Sequence, residues 1–123
     1  MFGSNEEGKH GGGAAKTALR WGAKEGEGIG LHGKTYAIPT RKFDSNGTLV
    51  TLSRADVGKH VNNFITCARA RTDLKFLVTE IGCGLAGLQI GDVAPLFAHA
   101  KTPDNVVLPL SFQLRKGQAL DLP

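Results

Sequence analysis

The chain has 123 residues, enough for one domain with one core, and 41% of them are hydrophobic. Its 15 basic and 11 acidic residues leave a net charge of +4, which favours anionic partners. No Lys/Arg run exceeds two residues, so a small phosphate-bearing ligand explains the charge as well as a nucleic acid does. No stretch approaches the ~20 apolar residues of a membrane span, and the polar start MFGSNEEGKHGGG lacks a secretory h-region. A cytoplasmic protein is expected.

Residues 1–4 read as the end of a strand, and NEEGKHGGG, 5–13, as a loop. A helix is expected over 13–22, where Ala14, Ala15, Ala18 and Leu19 recur at about 3.6 spacing and Gly22 is a natural stop. KEGEGIGLHG, 24–33, is a second glycine-rich loop, and KTYAIPT, 34–40, a strand. Asn46-Gly47 signals a turn, and TLVTL, 48–52, is a short edge strand or an extended connection. Ser53 with Asp56 marks a helix start; Val57, Val61, Phe64, Ile65 and Ala68 then follow at i, i+4, i+7, i+8 and i+11. Residues 74–81 read as a buried strand. Asp92 caps a helix carrying Val93, Leu96, Phe97 and Ala100, with Pro95 harmless in its first turn. NVVLPLSF, 105–112, is a last strand, and the tail 113–123 carries no firm assignment.

The order β-α-β-(β)-α-β-α-β argues for a single α/β domain with a mixed, largely parallel sheet. Such sheets bind ligands at the C-terminal ends of their strands. The 17 glycines are about twice the ~7% of ordinary usage, and they cluster at 3–13, 22–33 and 82–91, in loops that follow or precede a strand. Trp21 and Tyr36 are expected in the core or in a pocket wall.

EIGCGLAGLQIGD, 80–92, joins a strand to a helix. Successive glycines let several backbone N–H groups point into one concavity, a nest for phosphate, and the following helix N-terminus adds a favourable dipole. The stretch from Gly82 to Gly87 is G-x-G-x-x-G, but it sits late in the chain, without the acidic residue that a dinucleotide fingerprint places after a second strand. A tight structural turn is the plain alternative. In the first cluster, Asn5 is a candidate partner for a sugar hydroxyl, His10 a candidate polar contact, and Gly11, Gly12 and Gly13 leave room for ribose or phosphate beside a helix start. The plain alternatives are a turn-forming Asn5 and a solvated His10. His32, His60 and His99 show no metal-ligand spacing with one another or with Cys67 and Cys83, and the two cysteines form no CxxC pair, so neither metal nor cofactor is expected. No serine- or cysteine-protease arrangement is present.

FGSN, GKHGGGAA, YAIPT, VTEIGCGLAGL and DVAPLF, taken together over about residues 2–112, resemble the macrodomain superfamily of ADP-ribose-binding modules. The branch resembled reads I-G-C-G-L in its late loop and includes ADP-ribose glycohydrolases. The pattern is also similar to a family of small uncharacterised bacteriophage proteins. The resemblance implies a three-layer α/β/α domain in which Gly82, Cys83, Gly84, Leu85, Ala86 and Gly87 wrap a diphosphate. Asn5 and Gly11–Gly13 would then flank the distal ribose, with Thr40 lining the same cleft and Cys83 filling the space behind the loop. In the glycohydrolases of that branch an acidic residue follows the loop leucine and a lysine follows the strand threonine. Here those positions hold Ala86 and Arg41, with Lys42 one residue on. Loss of the carboxylate removes an acid/base group, and arginine is a poor nucleophile.

These residues favour a binder of an ADP-ribose-like or cyclic nucleotide, sequestering a host immune signal in the host cytoplasm if a phage encodes it. One alternative is a hydrolase of an ADP-ribosyl or related phosphoester bond, using Asn5, His10, Lys42 and Glu80. A second is a structural or nucleic-acid-associated protein. A second copy completing the pocket would suit so small a domain.

Overall fold

A computed structural model describes residues 1–83, 86–99 and 101–117. In chain order the elements are β1 (Phe2–Asn5), α1 (Gly13–Ala18) running into a 3-10 turn (Leu19–Trp21), β2 (Gly30–His32), β3 (Thr35–Phe43), β4 (Leu49–Thr51), α2 (Arg54–Ala70), β5 (Phe76–Leu77), α3 (Ile90–His99), β6 (Val106–Val107) and α4 (Leu110–Gly117). The result is a mixed α/β fold with a mixed sheet. β3 is its spine: β1 pairs with it in parallel, while β2 and β4 pair antiparallel with its two ends, so this sheet is not the largely parallel one the element order suggests. β5 and β6 form a short parallel pair. The Met1 amino group donates to Leu77 O at 3.0 Å and Thr79 Oγ1 to Met1 O at 3.0 Å, so the chain through β5 runs beside the start of β1.

Neighbouring residues of a strand point to opposite faces, and β3 carries a core on both. Tyr36 and Ile38 join the main cluster with Val57, Val61, Phe64, Ile65 and Ala68 of α2 and Phe97 and Phe112 of α3 and α4. Ala37 joins a smaller cluster with Phe2, Ala15, Ala18 and Ala23. Alanines let α1 lie close against the strands, which brings its backbone near the end of β1. Tyr36 is core: its ring meets Phe64 edge-on at 5.0 Å, and burial, aided by Cys67, pushes its pKa up to about 12. Trp21 belongs to neither cluster and is largely exposed.

The structure differs from the sequence reading mainly in its second half. The strand expected over 74–81 keeps ladder pairing only at Phe76–Leu77, and that over 105–112 only at Val106–Val107. Pro109 ends β6, since it has no N–H, and its carbonyl accepts from Phe112 and Gln113 to open α4. Leu108, Leu110 and Phe112 alternate like a strand, which hides that helix. α3 starts at Ile90, two residues before Asp92, whose carboxylate reaches back to accept from Gln89 N at 3.0 Å. Pro95 therefore falls in the second turn. β2 lies inside the stretch read as a glycine loop. The Ala100 position expected on α3 lies outside the described residues, as do residues 118–123 of the tail.

α2 begins at Ser53, whose Oγ accepts from Asp56 N at 3.2 Å. It ends on Asn105, whose Nδ2 donates to Ala68 O, Arg71 O and Leu74 O at 2.9, 3.0 and 2.9 Å. One amide thus ties the end of α2 to the start of β6. Asn105→Ala should lower unfolding free energy by about 1–3 kcal/mol, because carbonyls at the helix end lose their donor. The check is a lower urea midpoint with unchanged slope.

Candidate functional site

A cleft of about 700 Å³ lies at the C-terminal ends of β1 and β3. Four pieces of chain bound it: β1, Lys9 with the helix start at Gly11–Ala15, the strand end at Thr40, Arg41 and Phe43 with Leu49, and Thr79–Gly82 with Ala86. It brings together Asn5, Gly11, Gly12, Gly13, Thr40, Gly82 and Ala86 from the expected set. His10, Cys83 and Gly87 are not among its lining residues, and Gly84 and Leu85 lie outside the described residues.

The first loop is shaped by Asn5. Its Nδ2 donates to Lys9 O at 2.9 Å and its Oδ1 accepts from Lys9 N at 2.9 Å. The amide is thus closing the loop in this structure, rather than waiting for a sugar hydroxyl. The 24–29 segment packs against it, backbone to backbone. A Cβ on Gly28 would sit 2.1 Å from Asn5 O, and one on Gly8, at φ +73°, 2.3 Å from Glu27 N. His10 is not a solvated loop residue. It is 2% exposed, its ring stands edge-on to Phe2 at 5.5 Å, and its Nε2 lies 3.2 Å from Glu27 O. A carbonyl only accepts, so Nε2 carries the proton, and buried Nδ1 has no partner among the described residues. His10 therefore supports the loop from behind.

Gly11 and Gly12 differ from these packed glycines. A Cβ on either would meet no described residue within 4 Å. Gly12, the N-cap of α1, has φ −160°, which any residue adopts, and no side chain caps the helix. The first-turn N–H groups of a helix have no intrahelical acceptor, so bare backbone faces open space beside the cleft. On the opposite side Gly82 needs its glycine for the turn itself. Its φ is +75°, a Cβ there would meet Leu88 Cδ1 at 2.6 Å, and Leu88 N donates to Gly82 O at 2.7 Å. Cys83 N donates back to Glu80 O at 3.2 Å and so is turned away from any ligand. Thr51 Oγ1 donates to Ala86 O, pinning the far side of this loop to β4.

The polar side chains of the cleft are largely engaged with the protein. Ser4 donates to Gly28 O, Thr40 to Ser4 O, Thr79 to Met1 O, and Glu80 accepts from Ser111. The cations Lys9 and Arg41 are different. The Lys9 ammonium lies 5.0 Å from the centre of the Phe43 ring, and no hydrogen bond or ion pair from the Arg41 guanidinium occurs among the described residues. The sequence reading missed Lys9, Arg41 and Phe43 as cleft residues. Alternation at the end of β3 sets Arg41 and Phe43 apart from Lys42, but the neighbours Thr40 and Arg41 both reach the cleft because the β1–β3 register shifts by one residue there, which the sequence pattern does not signal. Lys42, a candidate nucleophile in the sequence, is exposed and outside the cleft. Among the described residues no three His, Cys, Asp or Glu gather where they could hold a metal ion, and no helix is long and apolar enough to cross a membrane.

Cys83 packs against the main core, and its Sγ lies 3.5 Å from Ile81 O. Burial, with help from Glu80 and Asp92, pushes its thiol pKa up. A raised thiol pKa means less thiolate near neutrality. Iodoacetamide should therefore label Cys83 in the folded protein more slowly at pH 7.5 than after denaturation. The folded rate should climb only as pH passes above the ordinary thiol range, which mass spectrometry of the labelled peptide reads directly.

The chain matches no protein-family model, no curated protein and no solved structure.

Proposed function

We propose that this protein is a macro-like, three-layer α/β/α domain that binds a small phosphate-bearing nucleotide of the ADP-ribose type in this cleft. The layer reading is supported by the two cores on opposite faces of β3, one under α1 and the other under α2, α3 and α4. The binding reading rests on one observation: Gly11 and Gly12 border the cleft although neither the packing around them nor the Gly12 backbone angle requires glycine. Glycine in such a place costs conformational entropy and leaves the backbone open to close approach. Phosphate is the group that backbone N–H donors hold well, and Lys9 and Arg41 supply complementary charge on the same cleft.

Binding without turnover is the favoured form. Lys42 is outside the cleft, Asn5 is holding the loop, His10 lies behind it, and Glu80 is held by Ser111. If a phage encodes the chain, retention of an intact nucleotide fits sequestration of a host signal.

Gly12→Asp separates binding from folding. Asp is a slightly better N-cap than Gly, by a few tenths of a kcal/mol, and its Cβ has room. The variant should keep or slightly raise the melting temperature while its carboxylate repels phosphate. The wild-type protein should deplete free ADP-ribose from a mixture with cyclic nucleotides and return it intact on heating, by mass spectrometry. Gly12→Asp should weaken ADP-ribose binding at least tenfold. Unchanged affinity in the variant would count against the backbone-phosphate reading, and a product of new mass would replace the binder by a hydrolase.

A further inference from the structure

Trp21, the chain's one tryptophan, is 58% exposed. Its side chain has no ring contact, overlying cation or hydrogen-bond partner among the described residues. The turn that carries it is nevertheless fixed. Lys34 N donates to Trp21 O at 2.8 Å. Gly22, at φ +107°, and Gly33, at φ +58°, meet backbone to backbone, and a Cβ on either would lie 2.7 Å from the other's Cα. Gly33 and Lys34 are the two-residue turn between β2 and β3. Trp21 is therefore clamped to the N-terminal end of β3, at the opposite end of the sheet from the cleft.

The unengaged charges nearby are all positive. Arg20 precedes Trp21, Lys34 is bonded to it through the backbone, Lys16 stands one turn earlier on α1, and Lys24 follows Gly22 by two residues. All four are exposed, and none makes an ion pair or a side-chain hydrogen bond among the described residues. The acidic residues of this stretch are engaged elsewhere. Glu25 Oε1 accepts from His10 N at 3.1 Å, and Glu27 Oε1 lies 4.0 Å from His32 Nε2.

A bare aromatic face among unpaired cations complements single-stranded nucleic acid, whose bases stack on the ring while its phosphates meet the cations. A lipid surface fits less well. A helix that lies on a membrane buries a whole apolar stripe there, but α1 spends its stripe, Ala15 and Ala18, on the sheet. That leaves Leu19 and Trp21 of this turn for lipid.

We propose that this end of the domain is a second site, separate from the cleft, which binds single-stranded nucleic acid without sequence preference. One base stacks on Trp21, the neighbouring phosphates contact Arg20 and Lys34, and Lys16 and Lys24 extend the path of the strand. Every base has a π-face, so a lone ring with cations around it holds a strand without reading it.

The lone tryptophan makes the test direct. An oligothymidylate of about 12 nucleotides should quench the Trp21 fluorescence of the whole protein saturably at low salt. Anisotropy of the same oligonucleotide, end-labelled, then compares variants. Trp21→Ala should keep the melting temperature and weaken binding about tenfold, the usual worth of one stacked base, and Trp21→Phe should recover most of the loss. Combining Arg20→Gln with Lys34→Gln should lower the slope of log affinity against log salt by about 1.4. No quenching at low salt, full binding by Trp21→Ala, or an unchanged slope in the double variant would each overturn the proposal. So would Trp21 emission that shifts to the blue on phosphatidylserine vesicles while the oligonucleotide leaves it unchanged, which would assign this face to a membrane surface.

Discussion

The cleft depends on a contact between two stretches of backbone. The 24–29 segment lies so close to the end of β1 and the loop after it that a side chain at Gly28 or Gly8 would collide with main-chain atoms of the other strand of the contact. No rotamer change relieves such a clash, because the atoms in the way are backbone. Once the two segments are pressed together, Gly26 N donates to Gly8 O at 2.8 Å and His10 closes over Glu27 O. Asn5 then fastens Lys9 from the inside. The path of the first loop is over-determined, and the next residues, Gly11 to Gly13, emerge beside the cleft with no side chains to cover them.

The rest of the site is arranged around that loop. Small residues at Ala15, Ala18 and Ala37 keep α1 close to β1 and β3. Facing them, Gly82 makes its turn under Leu88, and the turn is tied to β4 through Thr51 and Ala86. β3 joins both halves, since it pairs with β1 and β4 and carries Arg41 and Phe43 into the cleft. The consequence is chemical. Most polar side chains there spend their hydrogen bonds on holding backbone in place, so what the described residues leave open in the cleft is bare main chain, two cations and one aromatic ring. Phosphate suits such a surface better than a neutral ligand does.

Much of this was legible in the residues. Ser53, Asp56 and the apolar positions from Val57 to Ala68 state α2 almost to its ends, because capping and a 3.6 period are local properties. The strand through Tyr36 and Ile38 and the glycines of the first loop were legible for the same reason. Other features depend on contacts distant in sequence. Whether 74–81 and 105–112 keep a full ladder is decided by which strands reach them, and Pro109 turns an alternating pattern into a helix start. The sequence leaves His10 between a polar contact to a ligand and a solvated loop residue, because nothing nearby in sequence predicts that Phe2 and Glu27 bury it behind the loop. Among glycines, the sequence cannot separate Gly28, which a backbone collision demands, from Gly12, which no contact among the described residues demands. That difference appears only when the space around each is known, and it is what points to a ligand. The macrodomain resemblance remains a proposal of kinship carried by the loops.

The most direct measurement of the central claim is a 15N–1H NMR titration of the protein with ADP-ribose. Binding through bare backbone predicts that the amide signals of Gly11, Gly12, Gly13 and Gly82 move most, saturably, and still do so at 0.3 M salt. Signals that stay in place, or shifts spread over exposed lysines and arginines that vanish with salt, would contradict it.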